Sequence, residues 1–141
     1  HNAPKTRSNV VYKGALQGRD ARSVWIGDVL IRKAAEGTDT YELNRNLVLT
    51  EGARADSVPN LEIETGEIEG AGHASAPGRL DDEQPFYLKA RGIGELEARR
   101  LIVLGFLSEI PQKIQVPELQ EALLAEIERE IATGVAAGVA A

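Results

Sequence analysis

Reactive side chains are scarce in this 141-residue chain: it has no cysteine and two histidines, His1 and His73. His73 is the interior one, in the run "IEGAGHASAPGRLDDEQ", with Ser75 two places on and Asp81 and Asp82 close behind. Three chemistries are open to such a cluster: metal ligation by a neutral imidazole, nucleophilic attack by a serine that the histidine activates, and acid/base work by paired carboxylates. Nothing resembling a nucleophile elbow surrounds Ser75, so a serine triad is not expected. Adjacent aspartates just before a helical pattern read as caps sooner than as an acid/base pair. With no thiolate and two histidines, a self-contained zinc site is not expected, and no G-x-x-x-x-G-K-[ST] phosphate loop is present. His73 is therefore the candidate ligand, and no catalytic constellation is expected.

The elements around His73 differ on its two sides. Up to about Ile68 the chain reads as short runs, "SNVVYKG", "ARSVWIGDVLIRK", "NRNLVLT" and "NLEIETGEI", each closed by Gly, Asp, Asn or Pro. Such β-branched and apolar runs between turn formers predict strands with no helix between them. A sandwich satisfies that pattern, and so do stacked rungs of a β-helix. Asn44 and Asn46 read as turn residues, with a side-chain ladder as the alternative.

From Leu80 the period becomes helical. "LDDEQPFYLKARG" offers Asp81 or Asp82 as N-cap and Gly92 as the stop. "GELEARRLIVLGFLSEI" predicts a second helix ended by Pro111; its stretch from Leu101 to Leu107 is apolar nearly all round and needs cover on more than one side. A third helix from about Pro117 places Leu119, Leu123, Ile127 and Ile131 near one face, with Leu124 beside them, as an amphipathic core element. "ATGVAAGVAA" reads as a frayed tail. The expected division is residues 1–80, 81–132 and a disordered 133–141.

Charge and hydropathy narrow the partners. The net charge of −6 is distributed as +3 over residues 1–40, −4 over 41–80 and −5 over 81–141. No basic stripe with interleaved aromatics is present, so nucleic acid is not an expected partner. No apolar run reaches the roughly 20 residues of a membrane helix, and no charged-then-apolar leader opens the chain, so cytosol is the expected compartment. The first residue is His1, and the opening run resembles the middle of a protein, so the expectation is a piece of a longer chain.

Four blocks carry a resemblance: "APKTRSNVVYKGALQ", "RSVWIGDVLIRKAAEGTDTYELNRNLVLT", "ADSVPNLEIETGEI" and "GHASAPGRLDDEQPFYLKARGI". Together they resemble the C-terminal part of the SufB/SufD family, scaffold subunits of SUF iron–sulfur cluster assembly, and "YELNRNLVLT" favours the SufD branch. The resemblance implies a mainly β plus α fold: terminal rungs of a right-handed parallel β-helix over residues 1 to about 80, then a small C-terminal helical domain. It implies pairing with SufB and docking of SufC, a soluble ATPase, with no cofactor held tightly and an iron–sulfur cluster passing transiently through the full complex. The family's interface histidine, in a C-x-H-G-A-T-like segment, falls on His73, which it implies as a cluster ligand opposite a SufB thiolate. The chain departs from that segment at Ala71, where the cysteine stands, and at Ala74, Ser75 and Ala76.

Expected partner contacts are Arg91, Gly92, Glu95 and Phe106. Alternatives are a rung-capping role for His73, internal packing for Phe106 and a helix-end charge at Arg91. The expected activity is that of a non-enzymatic scaffold. The alternatives are a fragment of a carbohydrate-active β-helix enzyme, whose clustered carboxylates the acids of residues 41–80 do not reproduce, and a generic protein-binding module. Exposed strand edges at a solenoid end lead to an expected self-association.

Overall fold

The computed structural model describes the backbone of residues 1–139 and the side chains of residues 1–134. Five strands come first, β1 (Arg7–Leu16), β2 (Arg22–Ile31), β3 (Thr38–Val48), β4 (Arg54–Ile63) and β5 (Ile68–Arg79). Three helices follow: α1 (Glu83–Lys89), α2 (Glu95–Ser108) and α3 (Pro117–Val139), with a 3-10 turn at Pro111–Lys113 between the last two. α3 therefore takes in residues 133–139 of the stretch read as tail; residues 140 and 141 lie outside the described residues.

All strand pairing is parallel. One sheet has the order β1-β3-β5 and the other β2-β4. Arg7 pairs with Asp39 and Arg22 with Arg54, both an offset of 32, and Asp39 pairs with Gly70, an offset of 31. Each rung thus contributes one strand to each sheet, which is compatible with the end of a parallel β-helix. It rules out an antiparallel sandwich. Side chains one rung apart bond in register: Thr6 with Thr38 at 3.1 Å, Ser8 with Thr40 at 2.6 Å, and Asn60 to Asp28 at 2.9 Å.

The stretch Ile68–Arg79 is small and glycine-rich, yet it forms a full strand because β3 supplies a continuous partner ladder along it. Parallel pairing compensates for weak intrinsic propensity, as tertiary context generally does in sheets.

Between the two sheets the interior is apolar at its ends and polar in its middle. Leu16, Val48 and Ala53 form one apolar end; Ile31 and Ala35 lie fully buried toward the other. Between them β3 turns Thr38, Thr40, Glu42, Asn44 and Asn46 inward, all buried. Asn44 and Asn46 are therefore strand residues and not a turn. Asn44 Oδ1 accepts from Asn46 Nδ2 and from Ser57 Oγ, both at 2.6 Å, which links the two sheets through the core.

The helices pack on the outer face of the three-stranded sheet. Asp81 caps α1, its Oδ1 accepting from the backbone N–H of Glu83 and Gln84 at 3.1 and 3.2 Å. Gly92 ends it: at φ +84° the N–H of Gly92 donates to Lys89 and that of Ile93 to Leu88, a paired closure that the left-handed conformation of glycine permits. Ala98 and Val103 of α2 and Ile131 of α3 are buried. Leu119 and Leu123, expected in the core, are 48% and 37% exposed, while Ile131 further along α3 is buried.

Lys13 of β1 pins this layer. Its side chain is 1% exposed, its Nζ donates to the Phe106 carbonyl at 2.9 Å, and it pairs with Glu109. The hydrogen bond from Lys13 holds the Glu109 carboxyl below the ordinary 4.5, helped by the Lys13 charge and more weakly by Lys113 and Arg45. A depressed folded-state value means that the folded protein binds fewer protons than the unfolded one, so this contribution is complete above the unfolded value and is lost as pH falls through the folded one. Glu109→Gln is expected to be less stable than the parent near neutrality and to converge with it in acid; urea midpoints of both proteins from pH 7 to pH 3 check this, and a constant gap sinks it.

Candidate functional site

Strand alternation decides where the candidate ligand stands. In the β3/β5 ladder, His73 is the register partner of Glu42, and partners in a parallel pair share a face. His73 therefore lies on the interior face of the last rung, above Glu42, yet it is exposed because no further layer covers β5. Ala71 and Ser75 flank it on the same face. Among the described residues, no group of three or more His, Cys, Asp or Glu is placed to hold a metal ion. His73 stands as a single exposed imidazole on the open end of the last rung.

The expected contact residues divide into two places. Arg91, Gly92 and Glu95 share the turn between α1 and α2. Arg91 lies 3.5 Å over the Tyr87 ring, and its guanidinium reaches the Tyr87 carbonyl at 3.4 Å. Glu95 pairs with Lys89 at 3.2 Å and with Arg99 at 3.8 Å. Beside this turn opens a hollow of about 700 Å³ between α1, the start of α2 and Leu49, walled by Pro85, Phe86, Tyr87 and Lys89. Phe86 is 72% exposed at its rim. An apolar floor with a charged border is the usual composition of a protein-docking surface.

Phe106 is elsewhere. It is half-buried against the rungs, with Lys13 Nζ 4.6 Å and the Arg45 guanidinium 5.8 Å from its ring centre. It belongs to the seam between sheet and helices and is not brought together with Arg91.

Glu42 escaped the sequence reading, which treated the acids of residues 41–80 as scattered. Its signal was present as a polar residue at every second position from Thr38 to Asn46. That alternation marks one strand face, and the intervening Tyr41, Leu43 and Leu47 made the opposite face look like the inner one.

The description "SUF system FeS cluster assembly, SufBD core domain" matches residues 1–106, three quarters of the chain. The chain belongs to the SufBD family. An iron-sulfur cluster assembly SufBD family protein of Mycobacterium tuberculosis (strain H37Rv) is 67% identical over 137 residues, covering 93% of this chain and 34% of the relative. Iron-sulfur cluster assembly protein SufD of Escherichia coli is 31% identical over 134 residues, covering 95% of this chain and 31% of that protein. SufD of Bacillus subtilis is 32% identical over 127 residues. This SufBD chain spans about a third of the length of the curated relatives it matches. The match runs through β1 to β5 and most of α2, so it takes in the rung that carries His73 and the turn that carries Arg91. No described helix is long and apolar enough to cross a membrane.

Proposed function

We propose that this SufBD chain is a non-catalytic scaffold of iron–sulfur cluster assembly, acting in the cytosol. Residues 1–80 form the last rungs of a right-handed parallel β-helix that abuts a SufB-like subunit, and residues 81–132 dock a SufC-like soluble ATPase. A cluster or its iron is cargo at the rung end, where His73 supplies a ligand and the SufB-like subunit a thiolate. The observation that carries this reading is the placement of His73: a family-matched strand leaves one imidazole exposed on an uncovered interior face.

A neutral imidazole binds iron through one ring nitrogen, and ATP-driven movement of the docked ATPase would be felt at the rung end through the helices packed on β1 and β3. The hollow beside Arg91 supports the docking half of the proposal, since a partner side chain can enter between Phe86 and Lys89.

Co-expression of the tagged chain with a SufC-like ATPase and a SufB-like subunit tests both halves. Arg91→Glu is expected to cut recovery of the ATPase about tenfold, the effect of roughly 1.4 kcal/mol of binding energy, while leaving the SufB-like subunit bound. His73→Ala is expected to retain both partners and to lose the visible absorbance of an anaerobically reconstituted cluster. Equal ATPase recovery by Arg91→Glu and parent would remove the α1–α2 turn as the docking site.

A further inference from the structure

Glu42 poses a problem that the scaffold reading leaves unsolved. It is 5% exposed, and its Oε2 is fully shielded with no hydrogen-bond partner among the described residues. A carboxylate stripped of water and left unpaired is strongly unfavourable, and such groups in folded proteins mark a missing ion, a water or a functional need. Its surroundings narrow the answer. Below it in the ladder stands Val10, and across the interior stands Gly27, where an added Cβ would come within 2.7 Å of Oε2. Neither offers a donor. Above it stands His73, its register partner on the open rung.

We propose that Glu42 and His73 together form an oxygen–nitrogen site for a single divalent cation of the ferrous type, one carboxylate oxygen below and one ring nitrogen above. The proposal rests on the reading of His73 as a metal ligand and adds a second ligand from this chain, where the cysteine of the related segment is Ala71. Side chains of register partners are set about 4.8 Å apart by the strand spacing. Ligand bonds of about 2.0 to 2.2 Å from each side span such a gap. Mixed carboxylate and imidazole donors suit ferrous iron and its analogue Co²⁺. The remaining coordination positions face the uncovered end of the rung, where water or a partner's ligand completes the shell. Gly27 keeps this pocket open, because a Cβ there would run into the Trp25 ring at 2.3 Å as well as Oε2 at 2.7 Å.

Co²⁺ is the probe, titrated anaerobically and followed by its visible absorption and by calorimetry. All proteins carry His1→Ala, since the chain's second imidazole is a competing ligand. The parent is expected to bind one Co²⁺ and to melt higher with it. His73→Ala and Glu42→Gln are each expected to weaken binding at least tenfold and to lose the metal-induced rise in melting temperature. Without metal, Glu42→Gln is expected to melt no lower than the parent, because it removes an unpaired charge. Glu42→Asp, which keeps the charge on a shorter arm, is expected to bind between the parent and Glu42→Gln, so the result does not depend on one variant. Undiminished binding by Glu42→Gln alongside loss in His73→Ala overturns the Glu42 site and leaves His73 as a ligand. Undiminished binding by both variants, or no binding by the parent, overturns both readings.

Discussion

Asn44→Leu is expected to destabilise the fold by about 3 kcal/mol, because two donors lose their acceptor at once and each stranded buried group costs roughly 1–3 kcal/mol. Asn44 is 3% exposed, and its Oδ1 receives both the Asn46 amide of its own strand and the Ser57 hydroxyl of the facing sheet. Leucine keeps the heavy-atom branching of asparagine but is bulkier, so the loss combines stranded donors with some overpacking. For a chain of this length the melting midpoint should fall by about 10 °C. The triple variant Asn44→Leu, Asn46→Leu, Ser57→Ala removes the stranded donors along with the acceptor and is expected to recover a large part of the loss. Urea unfolding followed by circular dichroism decides it: a near-neutral Asn44→Leu would mean that water reaches this core.

Lys13→Ala is expected to cost about 2–4 kcal/mol through a different mechanism. The ammonium is buried between a carbonyl, a carboxylate and an aromatic face, and a hydrogen bond to a charged group contributes about 1.5–3 kcal/mol before the cavity left by the stem is counted. Its loss falls on one seam, since Phe106 and Glu109 are the points at which the end of α2 meets β1. Amide hydrogens of α2 should therefore lose protection at lower denaturant than those of β3, which gives local opening a definite place. Uniform loss of protection in strands and helices would show that the two layers unfold together and that Lys13 is no hinge between them.

Parts of this architecture were legible in the chain. The switch from short β runs to a helical period near Leu80 is observed as the end of β5 at Arg79 and the start of α1 at Glu83. The chain offers Asp81 or Asp82 as cap and Gly92 as stop because such side-chain and backbone chemistry acts within a few residues, and the structure selects Asp81. Ile127 and Ile131 share the covered face of α3, whereas Leu119 and Leu123 at its start, expected in the same core, stay exposed. Helical periodicity shows which residues share a face, and it does not show how far along the helix a neighbour extends.

The larger misreading concerned β3. Its polar alternation was taken for turn chemistry because single-strand pattern rules assume that the apolar face is the buried one. Here the polar face is the inner one, covered by the facing sheet, while the opposite face carries exposed Asp39, Tyr41 and Arg45 beside half-buried Leu43 and Leu47. The polarity is tolerated where the facing layer supplies partners, as Ser57 does for Asn44. At Glu42 it supplies none.

The sequence by itself determined the local events, namely strands up to about Ile68, helices after Leu80, a cap and stop for the first helix and the lone interior histidine, since each depends on contacts within a few residues or on the kinds of residue present. Its ordered blocks also determined the family. Only the tertiary structure decided the register of the strands, at offsets of 31 or 32 residues, which face of β3 is buried, and that Glu42 lies beneath His73. Those facts depend on register between segments about thirty residues apart, and register is fixed by the fit of whole faces against one another and by no short stretch of chain.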